Sequence, residues 1–416
     1  MIVYLNKEEL LSLPEAGAVD GVAYEWEGEG VVHLHTRPLR HAYGKVSPCR
    51  FVRDGAEELP AAGFCVRYGR EGAEVKAAAF FDGKELPLDF IPARGELFSR
   101  SKGILEVGAL AKKRVMIVGL GSFGGQIAVE LAKAGVGAFS LLDFDRMELH
   151  NLSRHICSVQ DLGRLKTDAV ADAILGKNPY AEVDRFPVDI NKEPVTLDRE
   201  TARADLVICA TDNNTSRFNL TNVLLRRAKP CLYGRAVTRA EGGDVFRYRP
   251  GGPCYNCLIG NGWFNSRDEE ITDEASARRS GRIAAYVSRE DASAMVQVGL
   301  SADIEPICNL MVKLALVELS RGLETGLSRL EGELVYDYYM WANRRERRHA
   351  NWAPFPEAAS KPTILRWYGA RIARNDGCAL CGAHAELDTG DEMESRLGDM
   401  GDTSDINLDD AGGQEG

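Results

Sequence analysis

Residues 114–145, RVMIVGLGSFGGQIAVELAKAGVGAFSLLDFD, constrain this chain more than any other stretch. An apolar run enters the turn Gly119-Leu120-Gly121-Ser122-Phe123-Gly124, and the apolar spacing behind it is that of a helix ending at Gly135. A second apolar run closes on Asp143. Strand, glycine turn, helix and strand in this order make a nucleotide-binding βαβ unit. The glycines let the backbone turn sharply and approach a phosphate, and the helix N-terminus offers unpaired N–H groups and a positive dipole end. Asp143 stands where a ribose would lie. The expectation is an α/β, Rossmann-like, doubly wound and mostly parallel sheet holding a mononucleotide or dinucleotide.

A glycine turn of this kind is most often found in NAD- and FAD-dependent oxidoreductases, so the residues that follow it decide more. Asp143-Phe144-Asp145-Arg146-Met147-Glu148-Leu149-His150-Asn151-Leu152-Ser153-Arg154 comes directly after the second strand, and Gly163-Arg164-Leu165-Lys166 opens the next helix. A dehydrogenase has no use for that polar run. An Asn, an Arg and a Lys converging on a phosphate-binding turn suit a triphosphate, whose charge needs several donors and fixed cations during attack at phosphorus. A lysine in the first turn of a helix opposes the dipole, and so wants an anion nearby.

With these blocks in view, the sequence resembles the ThiF/MoeB superfamily, the adenylating enzymes of thiamine and molybdopterin biosynthesis together with the ubiquitin-activating enzymes. Matching blocks run in order between residues 97 and 385. The resemblance implies that Asp143 holds the ribose hydroxyls, that Asn151 and Arg154 contact the phosphates, and that Lys166 is a further phosphate ligand; Asp145 stays with the same nucleotide-binding block. The strand ADLVICATDN then supplies Asp212 for Mg²⁺, with Asn213 and Arg217 continuing the block. LFSRSKGIL resembles the family's Y-x-R-Q segment, which makes Arg100 the arginine that reaches the ATP γ-phosphate, in homodimeric relatives from the opposite subunit. Ser101 stands here where the family has Gln.

The cysteines add a metal. Cys254-Tyr-Asn-Cys257 and Cys378-Ala-Leu-Cys381 are C-x-x-C turns flanked by Gly or Pro, and together they can present four thiolates to one tetrahedral Zn²⁺. Relatives in the adenylating family carry two such pairs at the same relative places. With all four positions filled, the zinc is structural. Cys209 and Cys308 lie in apolar runs and read as buried small hydrophobes. Cys231 reads as a strand residue beneath the site, and Cys157 sits in the polar loop after Arg154.

Between Cys257 and Cys308 there is no further cysteine, although ubiquitin-activating relatives place a nucleophilic cysteine on a crossover loop there. The segment holds serines instead, among them Ser288, Ser293 and Ser301. A serine hydroxyl needs a nearby base to attack an adenylate, because its pKa lies far above that of a thiol. Two courses stay open after an acyl-adenylate forms. In the preferred one the enzyme stops at adenylation and passes the activated carboxyl end to a sulfur donor or a conjugating partner. In the other a crossover serine takes the acyl group as an oxyester.

Composition limits the rest. A chain of 416 residues, 44% hydrophobic, can bury a sizeable core and should form two or more domains. A net charge of -11 argues against a nucleic-acid or anionic-membrane partner. The sequence has no apolar run of membrane-spanning length and no secretion-type start, so a cytoplasmic protein is expected. Residues 1–96 alternate short β-like runs with Gly and Pro turns and read as an accessory α+β or β-rich domain, by position a docking surface for a partner. Residues 97–350 form the adenylation domain, 351–385 the zinc-closing segment, and 386–416 an acidic tail expected to be disordered. The resulting expectation is ATP-dependent adenylation of the C-terminal glycine of a small ubiquitin-like or sulfur-carrier protein by a homodimer. Three alternatives stand beside it: an NAD-dependent oxidoreductase, a tRNA-nucleoside dehydratase of the same superfamily, and a catalytically silent scaffold.

Overall fold

The computed structural model describes residues 1–13, 17–38, 44–56, 58–71, 74–91, 97–237, 240–260, 299–345, 349–352, 363–383 and 385. The chain divides into two compact units, Met1–Gly103 and Ile104–Gly416.

The first unit is β-rich. Its strands are β1 (Ile2–Asn6), β2 (Ala18–Trp26), β3 (Val31–His35), β4 (Lys45–Arg53), β5 (Phe64–Glu71), β6 (Glu74–Phe81), β7 (Lys84–Leu86) and β8 (Leu88–Ile91), with one short helix, α1 (Lys7–Leu11). They form a mixed sheet in the order β7-β6-β5-β4-β2-β3-β1-β8. Alternation selects the buried face: Val3 and Leu5 of β1, Val32 and Leu34 of β3, and Phe64 and Val66 of β5 join Leu10 of α1 in one apolar core. The β-like runs of residues 31–36, 64–69 and 76–83 fall on β3, β5 and β6. Gly21 in β2 and Pro48 in β4 interrupt the apolar alternation of those two strands.

The second unit is the doubly wound domain. Its sheet runs β11-β10-β9-β12-β13-β14-β15-β16, where β9 is Arg114–Val118, β10 Ala138–Leu142, β11 Glu182–Phe186, β12 Leu206–Cys209, β13 Cys231–Ala236, β14 Gly242–Tyr248, β15 Tyr338–Ala342 and β16 Arg366–Ala370. The strands from β11 to β13 are parallel, and β14, β15 and β16 are added antiparallel. The helices that bear on the site are α2 (Val107–Leu110), α3 (Ser122–Lys133), α4 (Lys166–Leu175), α5 (Pro194–Arg203), α6 (Asn214–Arg227), α7 (Tyr255–Ile259) and α8 (Ser301–Leu319).

Both faces of this sheet are covered, which is why its strands read as continuous apolar runs. Val115 and Ile117 of β9 pack with Ile127 and Leu131 of α3, Val170 of α4 and Met311 of α8. Met116 and Val118, pointing the other way, pack with Leu197 of α5 and Leu220 and Leu224 of α6. Each such fully buried Val or Ile side chain contributes about 1.5–3 kcal/mol.

Strand order reverses between β9 and β12: the chain moves from β9 outward to β10 and β11, then returns past β9 to place β12 on its other side. The loops after β9 and β12 therefore leave in opposite directions. A crevice opens between them, and in sheets of this type that switch point is where ligands bind.

Candidate functional site

A cavity of about 780 Å³ lies at the switch point, and its described lining comes from the second unit. Gly119 and Gly121 form its floor. Gly119 has φ +84°, and a Cβ there would lie 2.8 Å from the Ala210 carbonyl oxygen, so only glycine suits the turn. Gly121 caps α3 at φ -70°, and a Cβ on it would meet nothing within 4 Å. That open space belongs to the cavity. Gly124 serves differently: it is buried in α3 outside the cavity lining, and a Cβ would sit 1.8 Å from the Gly119 carbonyl oxygen. It permits the helix to close onto the turn.

Asp143 and Asp145 follow β10, and both line the cavity. The buried Asp143 carboxylate accepts the Leu120 N–H at 2.6 Å and the Asp145 N–H at 2.8 Å. Burial raises its pKa, against the opposing pull of Lys166 and the two N–H donors. Asp145 accepts Lys166 Nζ at 2.7 Å, while the Lys166 N–H bonds the Asp145 carbonyl. The lysine, buried at the start of α4, is thus oriented by an acid of the preceding loop.

Asn151 and Arg154 also line the cavity. The Asn151 side-chain oxygen accepts the Glu148 N–H at 3.0 Å, which shapes the 3₁₀ turn Leu149–Asn151. Desolvation lowers the pKa of Arg154. Across the crevice, Asp212 and Asn213 end the loop after β12. Asn213 caps α6 by accepting the Ser216 N–H at 2.9 Å, leaving Asp212 exposed at the helix entrance. The sequence reading gave Arg217 no specific duty. Its guanidinium is buried and donates to the Thr211 carbonyl at 2.6 Å, bracing the residue before Asp212.

His155 was missed, and its partner is 35 residues upstream, where no local pattern points. Its Nε2 lies 2.7 Å from the Leu120 carbonyl oxygen and its Nδ1 3.2 Å from the Cys157 nitrogen. Arg100 stands exposed on the 3₁₀ turn Ser99–Ser101, in the first unit. Ser301 is the first residue of α8, whereas Ser288 and Ser293, like the acidic tail, lie outside the described residues.

The four cysteines singled out by spacing do converge. Cys254, Cys257, Cys378 and Cys381 are buried with their sulfurs all within 4.8 Å of one another. Neighbouring pairs are 3.9, 3.6 and 3.5 Å apart. A tetrahedral zinc with bonds of about 2.3 Å would place its sulfurs about 3.8 Å apart, so the thiols fit such an ion. Burial raises the pKa of Cys378, but the Asn256 amide, the backbone N–H groups of Leu380 and Cys381, and Cys254 outweigh it and hold it down to about 6. Tyr255, inside the first C-x-x-C turn, stacks on Tyr233 at 4.9 Å and donates to Asn214 at 2.9 Å. The cluster is therefore joined to the first turn of α6, beside Asp212. Cys209 and Cys308 are buried in the core, as read from their apolar surroundings, Cys231 opens β13 as a buried strand residue, and Cys157 is buried as well.

No helix among the described residues is long and apolar enough to cross a membrane. Molybdopterin-synthase adenylyltransferase of Escherichia coli is 40% identical over 152 residues, which is 36% of this chain and 60% of that protein. The SAMP-activating enzyme E1 of Haloferax volcanii is 33% identical over 153 residues, covering 36% of this chain and 55% of its own. Adenylyltransferase and sulfurtransferase MOCS3 of Anopheles gambiae is 32% identical over 168 residues, 39% of this chain and 37% of that one. The chain thus spans less than two thirds of each of these relatives. Among solved structures, E. coli MccB aligns over 67% of this chain and 68% of its own at 17% identity, with a TM-score of 0.48. The ThiF family model matches residues 98–347, well over half of the sequence, and the chain belongs to the ThiF family.

Proposed function

We propose that this protein adenylates the C-terminal glycine of a small ubiquitin-like or sulfur-carrier protein at the expense of ATP. The observation that carries the reading is a single cavity, at the switch point of the sheet, that gathers the open glycine turn, Lys166, Arg154, Asn151 and Asp212. The names of the E. coli, Haloferax and Anopheles relatives, adenylyltransferases and an activating enzyme, support it.

In this reaction a carboxylate oxygen of the carrier forms a bond to the α-phosphorus of ATP while the bond to the β-phosphate breaks and pyrophosphate leaves. The carboxylate is already ionised at neutral pH and needs no general base. The protein's work is orientation and charge neutralisation. Asp143, held rigid by two backbone donors, keeps lone pairs for the ribose. Lys166, Arg154 and Asn151 bind the phosphates, and Asp145 sets the lysine's direction beforehand. One carboxylate together with phosphate oxygens suits Mg²⁺; Asp212 would hold it, and it would neutralise phosphate charge there. Arg100 would reach the γ-phosphate from the second subunit of a homodimer. Zn²⁺ on the four thiols is structural, and the adenylated carrier passes to a sulfur donor or a conjugating partner.

The test is carrier-dependent ATP–pyrophosphate exchange. The wild type should exchange only with a carrier whose terminal carboxylate is free, and Asp212→Ala should lower the rate by about a thousandfold with an unchanged melting temperature. Exchange that survives in Asp212→Ala refutes the metal assignment. Tight NAD binding without exchange in the wild type refutes the whole reading.

A further inference from the structure

We propose that His155 is a positioning residue for the nucleotide: its neutral ring, protonated on Nε2, clamps the Leu120 peptide and so fixes the glycine turn. The inference rests on the reading of this cavity as a nucleotide site.

Both polar atoms of Leu120 are held by side chains from other loops. Its N–H donates to Asp143 at 2.6 Å, and its carbonyl faces His155 Nε2 at 2.7 Å. The tautomer follows from the other ring nitrogen. Nδ1 faces the Cys157 N–H at 3.2 Å, and a nitrogen that accepts from a backbone N–H cannot carry a proton of its own. The proton is on Nε2, which donates to the Leu120 carbonyl. Burial favours that neutral form, and Lys166 adds to the effect while the Leu120 bond and Asp161 oppose it.

The clamp acts on the cavity through peptide planarity. The Leu120 carbonyl and the Gly121 N–H belong to one trans peptide and point in opposite directions, so fixing the first fixes the second. Gly121 is part of the cavity wall with open space before it. The ring also touches the first turn of α3, where a Cβ on Gly125 would lie 3.3 Å from Cε1 and Nε2. His155 therefore sets the direction of a phosphate-binding N–H without supplying a charge.

Three forms of the full chain test this: wild type, His155→Phe and His155→Gln. Phe fills the space and offers no hydrogen bond, whereas the Gln amide offers both a donor and an acceptor. His155→Phe should raise the KM for ATP about tenfold with kcat and the carrier KM nearly unchanged, and His155→Gln should recover most of the loss. If His155→Phe does not fold, His155→Met, equally without a donor, takes its place under the same expectation. The proposal is overturned if the variant lacking a donor keeps the wild-type KM for ATP. It is equally overturned if Gln is as impaired as Phe, or if the carrier KM rises in parallel. Absence of ATP binding in the wild type would instead strike the nucleotide reading itself, and the clamp with it.

Discussion

The second unit's sheet runs five strands parallel, reverses its order between β9 and β12, and collects Lys166, Arg154, Asp143 and Asp212 around the crevice this creates. The first unit's sheet also has eight strands, but its parallel and antiparallel pairs are interspersed and not set in two blocks, and ion pairs form within that unit. Glu9 accepts from Thr36 and meets His35 at 3.0 Å, and Arg50 reaches Asp20 on the neighbouring strand at 2.8 Å. Strand count is thus the same in the two regions. What separates them is a topological reversal that leaves loop ends diverging, so that charged side chains, the paired Lys166 and Asp145 among them, border a shared space.

The largest effect expected within this contrast concerns the far end of the second sheet, where the four thiols join the turn after β14 to the segment after β16. Structural zinc in small peptides binds with about 10–16 kcal/mol, and that binding is folding free energy. Cys257→Ser should release the metal and lower the melting temperature of the second unit by about 10 °C or more, while the first unit's transition stays in place. Differential scanning calorimetry with metal analysis reads both. A wild type that contains no zinc and a variant that melts with it would remove the assignment.

How far the molecule was legible depends on whether a signal is local in the sequence. The βαβ unit could be read because strand, turn and helix signals lie side by side in residues 114–145, and the C-x-x-C pairs because two close-spaced thiols already imply a turn. Asn151, Arg154 and Lys166 form a recognisable local run, and the structure brings them to one cavity. By contrast, β16 is a half-buried five-residue strand, RWYGA, which pairs with β15, and nothing in its own alternation identifies that pairing. The duties of His155 and Arg217 were hidden for a related reason. Each acts on a backbone carbonyl, of Leu120 or Thr211, and a carbonyl has no letter in the sequence.

A smaller effect separates shape from chemistry inside the glycine turn. Gly124→Ala would drive a methyl to 1.8 Å from the Gly119 carbonyl oxygen and should cost about 2–4 kcal/mol of stability, since overpacking a closed contact forces the backbone apart. Gly121→Ala meets no atom within 4 Å and has an ordinary φ, so it should melt like the wild type. Its methyl projects into the space proposed for phosphate, and ATP affinity should drop about tenfold. Thermal melts and calorimetric titration distinguish the two. A Gly121→Ala protein that binds ATP normally would place the phosphates elsewhere in the cavity.

The smallest effect belongs to the first unit and concerns a charge paired within that unit. Burial raises the pKa of Glu9, yet the hydrogen bonds from His35 and Thr36 outweigh it and leave the carboxyl below its ordinary value. A group whose folded pKa is depressed adds stability at pH values above its unfolded pKa, and that contribution fades as pH falls through the folded value. Glu9→Gln should therefore lower the first unit's melting temperature by about 1–3 °C at pH 7, and the difference should close as the pH falls through the depressed folded value. ATP–pyrophosphate exchange should not change, because Glu9 on α1 is paired with His35 and Thr36 of its own unit. A difference in melting temperature that persists undiminished at low pH would show that shape, and not charge, is what Gln disturbs. A loss of exchange would show that the first unit takes part in the chemistry after all.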